Sequence, residues 1–285
     1  MSQELYDVII IGGGPAGIAA GVYASRKLLK TLFVTKEWGG QSTVSPEIHN
    51  WIGTVAISGT DLAKSLEGHL KAYAGDLVTI SAGVTATGLV KNGDNFTVTL
   101  SDGTTHESKT VLVASGSSRR KLNAKGADTY DQKGLTYCAT CDGPMFSGQD
   151  VVVVGGGNAG FETAAQLLAY TKSVTLLQDG TMFKADPVTV EKVLAMPHMT
   201  GILHAKTVEI VGDTFVSGIV YSDAEGALHT IPATGIFVEI GLLPNTEYVR
   251  GVLDLDAYNR IIIDPWTQRT SVSGVWAAGD CTNIR

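Results

Sequence analysis

Two apolar segments of strand length, each followed by a glycine-rich loop, stand out in the hydrophobic pattern of the chain. They are residues 7–11 and 151–154. Neither alternates between apolar and polar side chains, so both are predicted to lie in parallel sheets that are covered on both faces. After each loop comes a helical pattern and then a second apolar run, at residues 31–35 and 174–177. The pattern therefore predicts two nucleotide-binding units of the same plan.

Further segments of strand character lie downstream within each unit. They are residues 95–100, 110–113, 214–221, 235–239, 261–264 and 274–280. In each unit, two of the first four segments predict an antiparallel pair of strands, after which the chain returns to the main sheet. The last two segments predict additional sheet strands. We therefore expect an α/β fold with two Rossmann-like, three-layer dinucleotide-binding domains, the second inserted in the first. The first domain is predicted to be discontinuous, residues 1–116 plus 246–285, and the second to comprise residues 117–245.

Both loops match the pattern G-x-G-x-x-G. The matching glycines are Gly12, Gly14, Gly17, Gly155, Gly157 and Gly160. The first glycine permits a tight turn, the second lets a pyrophosphate approach the backbone, and the third lets the helix pack closely on the strand. The N-terminus of the following helix supplies amide donors and the positive end of its dipole. Because each loop follows a strand and opens a helix, we interpret both as dinucleotide sites rather than unrelated glycine turns.

The residue that would contact the ribose indicates which nicotinamide cofactor is used. An acidic residue about 20 positions after such a loop is expected to hydrogen-bond a ribose hydroxyl. Glu37 fits this position for the first loop, and Asp179 fits it for the second. A 2′-phosphate would require arginine, and residues 177–181 contain none. Asp179 would also repel that phosphate, so we predict that NADH is preferred over NADPH.

The bulk composition excludes several classes of protein. The chain has 44% hydrophobic residues, 17% charged residues and a net charge of −7 at pH 7, which argues against nucleic-acid binding. No apolar run approaches the roughly 20 residues that a membrane span needs, and the N-terminal segment lacks the basic region of a signal peptide. We therefore expect a cytoplasmic protein that binds no membrane. The six histidines are scattered without ligand spacing, so no metal site is expected.

Cys138 and Cys141 form a Cys-x-x-Cys motif directly before the second unit. A disulfide across so short a loop adds little stability, so reversible redox chemistry explains the pair better than an inert structural role. Zinc would need about two more ligands, and no second Cys-x-x-Cys is present. Asp142 is a candidate proton donor or acceptor for the dithiol, although a turn-forming role explains it as well. Cys281 is interpreted as a small buried residue.

The ordered set of motifs resembles the low-molecular-weight thioredoxin reductases. The similarity is closer to the flavoprotein subunit of alkyl hydroperoxide reductase, an NADH:peroxiredoxin reductase. It rests on the glycine loops, the Cys-x-x-Cys-Asp motif, and residues 39–41, 137–144, 235–245 and 277–282. The resemblance covers essentially the whole chain. It implies a homodimeric FAD-dependent disulfide oxidoreductase in which the first domain binds FAD and the second binds NAD.

The resemblance also implies roles for individual residues. FAD would be bound by Gly12, Gly14, Pro15, Ala16, Gly17, Glu37, Gly40, Gln41, Asn50, Gly116, Gly279 and Asp280. The nicotinamide dinucleotide would be bound by Gly155, Gly157, Asn158, Ala159, Gly160, Glu162, Asp179 and Gly241. Cys141 would face the flavin, Cys138 would attack the disulfide of the partner protein, and Asp142 would be the acid.

Three departures from this resemblance shape the expected function. The His-Arg-Arg signature of NADPH-dependent thioredoxin reductases is absent, which agrees with NADH. The first strand is predicted to begin at Asp7, so no thioredoxin-like domain is expected before it; electrons leaving Cys138 are expected to pass to a separate thioredoxin-like, peroxiredoxin-system or other small dithiol protein. Relatives continue with a further helix beyond the flavin motif, whereas this sequence ends at Arg285.

Two alternative functions remain open: a ferredoxin-dependent thioredoxin reductase that does not use nicotinamide, and a non-catalytic flavin-binding redox sensor.

Overall fold

The computed structural model describes residues 4–45 and 47–284, apart from the side chains of Thr140 and Cys141. The described chain divides into two compact units. One is formed by the residues up to Ser118 together with those from Leu242 onward, and the other by Arg119–Gly241. The assignment of each unit to one dinucleotide remains a prediction.

The secondary-structure elements follow one another in the order expected of two βαβ units. The α-helices are α1 (Pro15–Arg26), α2 (Gly59–Ala74), α3 (Ala139–Asp142), α4 (Asn158–Leu167) and α5 (Pro187–Leu194). The strands are β1 (Leu5–Ile11), β2 (Thr31–Thr35), β3 (Val78–Ala82), β4 (Ala86–Asn92), β5 (Asn95–Leu100), β6 (Thr105–Val113), β7 (Ser117–Arg119), β8 (Leu135–Thr136), β9 (Asp150–Val154), β10 (Ser173–Leu177), β11 (Met199–Ile202), β12 (Lys206–Gly212), β13 (Val216–Ser222), β14 (Leu228–Pro232), β15 (Gly235–Val238), β16 (Leu242–Pro244) and β17 (Val275–Ala277).

The first unit is built on a mixed sheet with the strand order β3-β2-β1-β6-β5-β4, and β17 also pairs with β6. The pairs among β3, β2, β1, β6 and β17 are parallel, whereas β4, β5 and β6 pair antiparallel. Consecutive residues of β1 are buried on opposite faces: Ile10 packs with α1 and α2, and Ile9 and Ile11 pack in the other core. Both faces of this strand are therefore covered, as its unbroken apolar sequence predicts.

The second unit contains a fully parallel sheet with the order β11-β10-β9-β15-β8. Val151 and Val153 of β9 pack against Phe161 and Leu167 of α4, and Val152 and Val154 enter the core on the opposite face. A separate antiparallel sheet is formed by β12, β13 and β14. The same alternating burial of one apolar strand thus organises both units.

Two of the strand predictions require correction. Residues 261–264 do not form a strand, because Ile261 makes only isolated bridges to Leu255 and Thr282. Residues 235–239 do return to the main sheet, where β15 lies parallel to β9, but the antiparallel partner of β13 is β14 rather than β15. An apolar run identifies a buried segment but not its pairing partner, which explains both errors.

Among the helices of the described residues, none combines the length and the apolar character that crossing a bilayer requires.

Candidate functional site

A cavity of about 910 Å³ opens in the first unit at the carboxyl ends of its parallel strands. This volume lies in the upper part of the range of about 300–1,000 Å³ that is usual for small-molecule and cofactor sites. Most of the residues predicted to bind FAD line it, namely Gly12, Gly14, Pro15, Ala16, Glu37, Gly40, Gln41, Gly116, Gly279 and Asp280. The fold therefore brings segments that are far apart in sequence to one concave surface.

Two residues predicted to bind FAD are not part of this lining. Asn50 lies on an exposed segment of the first unit and does not border the cavity. Gly17 is buried beneath the loop, where an added Cβ would overlap the carbonyl oxygen of Gly12. Gly17 thus serves the close packing of α1 on β1 that the third glycine of the pattern provides.

The helices that follow the two glycine loops begin without a side-chain cap. Gly14 and Gly157 precede α1 and α4, and neither helix has an acidic residue in its first turn. In contrast, Ser58 caps α2 by accepting a hydrogen bond of 3.0 Å from the Asp61 amide, and Asp186 caps α5. The first amides of α1 and α4 therefore have no intrahelical or capping acceptor, and they suit an anionic ligand.

The second glycine loop repeats the geometry of the first within its own unit. An added Cβ at Gly160 would overlap the carbonyl oxygen of Gly155, and one at Gly155 would overlap that of Glu239 at the end of β15. The equivalent contact in the first unit is between Gly12 and Ala114, at the end of β6. The loop is thus held by its neighbouring strand in the same way in both units.

Gln178, which sequence reasoning did not select, occupies the position directly after β10. Its side chain is 8% exposed, and Oε1 accepts a hydrogen bond of 2.8 Å from the amide of Gly156 in the second glycine loop. Asp179, which was predicted to contact the ribose, is exposed one position further along. A neutral amide gives no charge signal in the sequence, so only the structure shows that the Gln178 side chain contacts the loop.

The remaining residues predicted to bind NAD lie around the same loop. Asn158, Ala159 and Glu162 are exposed in the first turns of α4, and Asn158 Oδ1 accepts a hydrogen bond of 2.7 Å from the amide of Asp186. Gly241 is exposed and has a φ of +100°. Their role in binding NAD stays a prediction.

Cys138 is disulfide-bonded and directly precedes α3. The side chain of Cys141, the predicted flavin-facing cysteine, lies outside the described residues. Asp142, the predicted acid, is only 6% exposed, and burial raises the pKa of its carboxyl although contacts with Thr136 and the charge of Arg119 act in the opposite direction. A raised pKa is what a carboxyl group needs to hold a proton near neutral pH.

Cys281 is a fully buried free thiol in the first unit. Its Sγ lies 3.4 Å from the carbonyl oxygen of Ala278, and burial raises the pKa of the thiol. A buried thiol with a raised pKa is chemically inert. It therefore offers a control for experiments on the Cys-x-x-Cys pair.

Two dinucleotide-binding folds and a Cys-x-x-Cys motif whose first cysteine is disulfide-bonded are typical of flavin-dependent disulfide oxidoreductases. The chain belongs to the family described as pyridine nucleotide-disulphide oxidoreductase, which matches residues 6–285. This family implies FAD and a pyridine nucleotide as cofactors.

Sequence relatives agree with this assignment. The chain is 40% identical over 282 residues to a protein named NADH dehydrogenase from Bacillus subtilis (strain 168), covering 99% of this chain and 54% of that protein. It is 39% identical over 283 residues to a subunit of alkyl hydroperoxide reductase from Staphylococcus aureus (strain MRSA252), covering 99% of this chain and 55% of that protein. The chain thus spans about half the length of the curated relatives it matches.

Solved structures with this fold include two thioredoxin reductases. The enzyme from Streptococcus pyogenes MGAS5005 matches with a TM-score of 0.87 and 31% identity, covering 100% of this chain and 92% of that one. The enzyme from Giardia duodenalis matches with a TM-score of 0.89 and 30% identity, covering 99% and 92%. The predicted α/β fold with two Rossmann-like domains is therefore confirmed.

Proposed function

We propose that the chain passes electrons from a reduced nicotinamide, NADH in preference to NADPH, through FAD to a Cys138–Cys141 disulfide and on to a small dithiol protein. The observation that carries this proposal is the combination of a large cavity beside an uncapped glycine loop in one unit with a disulfide-bonded Cys138 and a second uncapped loop in the other.

The cavity of the first unit fits FAD in both size and chemistry. The uncapped start of α1 after Gly14 would accept the pyrophosphate, and Glu37 at the end of β2 would accept hydrogen bonds from the ribose. Gly279 and Asp280 line the same cavity from the C-terminal segment. When bound, FAD supplies the means of exchanging a hydride with nicotinamide and an electron pair with a disulfide.

The second loop would hold the nicotinamide dinucleotide on the uncapped start of α4. Asp179 at the adjacent strand end would disfavour a 2′-phosphate by charge repulsion, and this supports NADH as the donor. The relative from Bacillus subtilis is likewise named NADH dehydrogenase.

The electron acceptor is expected to be a thioredoxin-like or peroxiredoxin-system protein. The solved relatives are thioredoxin reductases, and a sequence relative belongs to alkyl hydroperoxide reductase. Cys138 is half-buried rather than enclosed, so its sulfur is the candidate for attack on a partner disulfide. A homodimer and a cytoplasmic location remain predictions from the resemblance and the sequence.

The decisive experiment is an anaerobic spectral titration of the flavin-loaded protein with NADH and, separately, with NADPH. We expect NADH to bleach the flavin band at lower concentration. Cys138→Ser and Cys141→Ser should keep flavin reduction but lose the reduction of a protein disulfide, whereas Cys281→Ala should keep both. If NADH leaves the flavin oxidised, or if both serine variants still reduce the disulfide at the original rate, the proposal is wrong.

A further inference from the structure

The hydroxyl group of Thr136 joins the Cys138 backbone to the Asp142 carboxyl group. Thr136 ends β8, where Leu135 and Thr136 pair in parallel with β15, and its side chain is only 4% exposed. The sheet therefore fixes the position of the Thr136 backbone, and burial restricts its side chain. Cys138 and Asp142 lie at the two ends of the single turn formed by α3.

Thr136 Oγ1 takes part in two hydrogen bonds, one as acceptor and one as donor. The backbone N–H of Cys138 donates to Thr136 Oγ1 at 3.2 Å, and Thr136 Oγ1 is in short contact with Asp142 Oδ2. A hydroxyl group has one proton to donate. Its oxygen accepts from the Cys138 N–H and its proton is donated to Oδ2, so Oδ2 is the accepting oxygen of Asp142.

The other oxygen of Asp142 is left to carry any proton that the carboxyl group binds. Oδ1 is buried and has no hydrogen-bond partner among the described residues. A negative charge on a buried and unpaired oxygen is unfavourable, so the neutral acid is stabilised with its proton on Oδ1. The charge of Arg119 acts on the Asp142 carboxyl group, and the Tyr170 hydroxyl group lies beside the adjoining Gly143.

We propose that Thr136 is a positioning residue that fixes the proton of Asp142 on Oδ1 for exchange with the Cys-x-x-Cys sulfurs. This inference rests on the proposed function, which assigns the redox role to that pair. When the disulfide takes up the two electrons of a reduced nicotinamide, the S–S bond breaks. One sulfur takes the Oδ1 proton and becomes a thiol, the other becomes a thiolate, Asp142 is left as a carboxylate, and the proton of the transferred hydride passes to solvent. The reverse transfer returns the proton when a partner disulfide reoxidises the pair.

The test compares Thr136→Val, which removes the hydroxyl group but keeps the shape, with Thr136→Ser, which keeps the hydroxyl group. The protein is reduced with dithiothreitol, and the rate of alkylation of Cys138 by iodoacetamide is followed by mass spectrometry from acid to alkaline pH. Loss of the hydroxyl removes a hydrogen bond that favours the carboxylate, so an inflection of the Thr136→Val profile should move to higher pH. The Thr136→Ser profile should coincide with that of the unmodified protein.

The Asp142→Asn background separates a positioning role from a structural one. On that background Thr136→Val should produce no further shift, because no carboxyl group remains to be positioned. A shift that persists there, or a Thr136→Val profile identical to that of the unmodified protein, overturns the inference. If Thr136→Val does not fold, Thr136→Ala is compared with Thr136→Ser in the same way. Neither flavin nor nicotinamide enters this assay, so failure of the proposed electron transfer would be seen separately in the spectral titration.

Discussion

The two glycines that flank the start of the second loop's helix are predicted to respond very differently to the same substitution. In Gly160→Ala the new Cβ would lie 2.9 Å from the carbonyl carbon of Gly155 and closer still to its oxygen. In Gly157→Ala the new Cβ would meet no atom within 4 Å. Neither residue has a positive φ, so neither substitution strains the backbone conformation.

The expected magnitude follows from the kind of atom that the new methyl group meets. Overpacking typically costs about 1–3 kcal/mol, and the upper end applies here because the obstacle is backbone held by a strand. Replacing glycine by alanine inside a helix returns about 0.5–1 kcal/mol, which leaves a net loss of about 2 kcal/mol for Gly160→Ala. For a unit of this size such a loss lowers Tm by about 4–12 °C. Gly157→Ala is expected to stay within about 1 kcal/mol of the unmodified protein.

Thermal unfolding followed by circular dichroism measures both variants under the same conditions, and NADH titration measures their binding. Gly160→Ala should be the less stable variant. Gly157→Ala should fold normally but bind NADH more weakly, because its methyl group occupies the space where a pyrophosphate would approach the backbone. Equal stability of the two variants would refute the packing argument, and unchanged NADH binding in Gly157→Ala would refute the assignment of the loop.

Three further predictions test other parts of the structure. Gln178→Glu should raise the ratio of kcat/KM for NADH to kcat/KM for NADPH about tenfold. An added repulsion of about 1.4 kcal/mol between the new carboxylate and a 2′-phosphate corresponds to that factor. An unchanged ratio would exclude contact between this side chain and the ribose. The pKa of Asp142 is raised in the folded state, so the free energy of unfolding should fall as the pH rises from the pKa of the unfolded state through that of the folded state. Urea unfolding across this pH range should show no such decrease in Asp142→Asn. A parallel decrease in both proteins would contradict the prediction. Ser58→Ala removes the cap of α2 and should lower the free energy of unfolding by about 1 kcal/mol, whereas Ser58→Thr keeps the hydroxyl group and should retain most of the stability. An unchanged free energy of unfolding in Ser58→Ala would show that the cap contributes nothing.

Much of the fold could be predicted because the informative residues act locally. The unbroken apolar run of β1 and the glycines after it determine strand, turn and helix within about 20 residues, and Thr31–Thr35 was predicted with its observed bounds. What failed depended on long-range pairing. Residues 261–264 have the composition of a strand, but Ile261 makes only isolated bridges. From the sequence, β15 resembles the strand that would pair with β13 in a hairpin, whereas in the structure β13 pairs with β14.

The residues of the candidate site that belong to sequence motifs could be predicted. The cavity is lined by the glycine loop and by Gly279 and Asp280, which the motifs identified. Gln178 and Thr136 could not be found in this way, because neither has a charge or a motif. Each is identified by a hydrogen bond, from the amide of Gly156 to Gln178 and from Thr136 to the carboxyl group of Asp142. These hydrogen bonds depend on where β10 and β8 end, which the sequence does not specify.

The contrast between capped and uncapped helices has a consequence for how the protein responds to its ligands. The amides at the start of α1 and α4 have no acceptor of their own, whereas those of α2 and α5 do. Occupancy of the loops should therefore couple to local folding, since a ligand that binds the native state stabilises it by RT ln(1 + [L]/Kd). Amide hydrogen exchange at these two helix starts should slow selectively when dinucleotide is added, so the same measurement would report which loop each dinucleotide occupies.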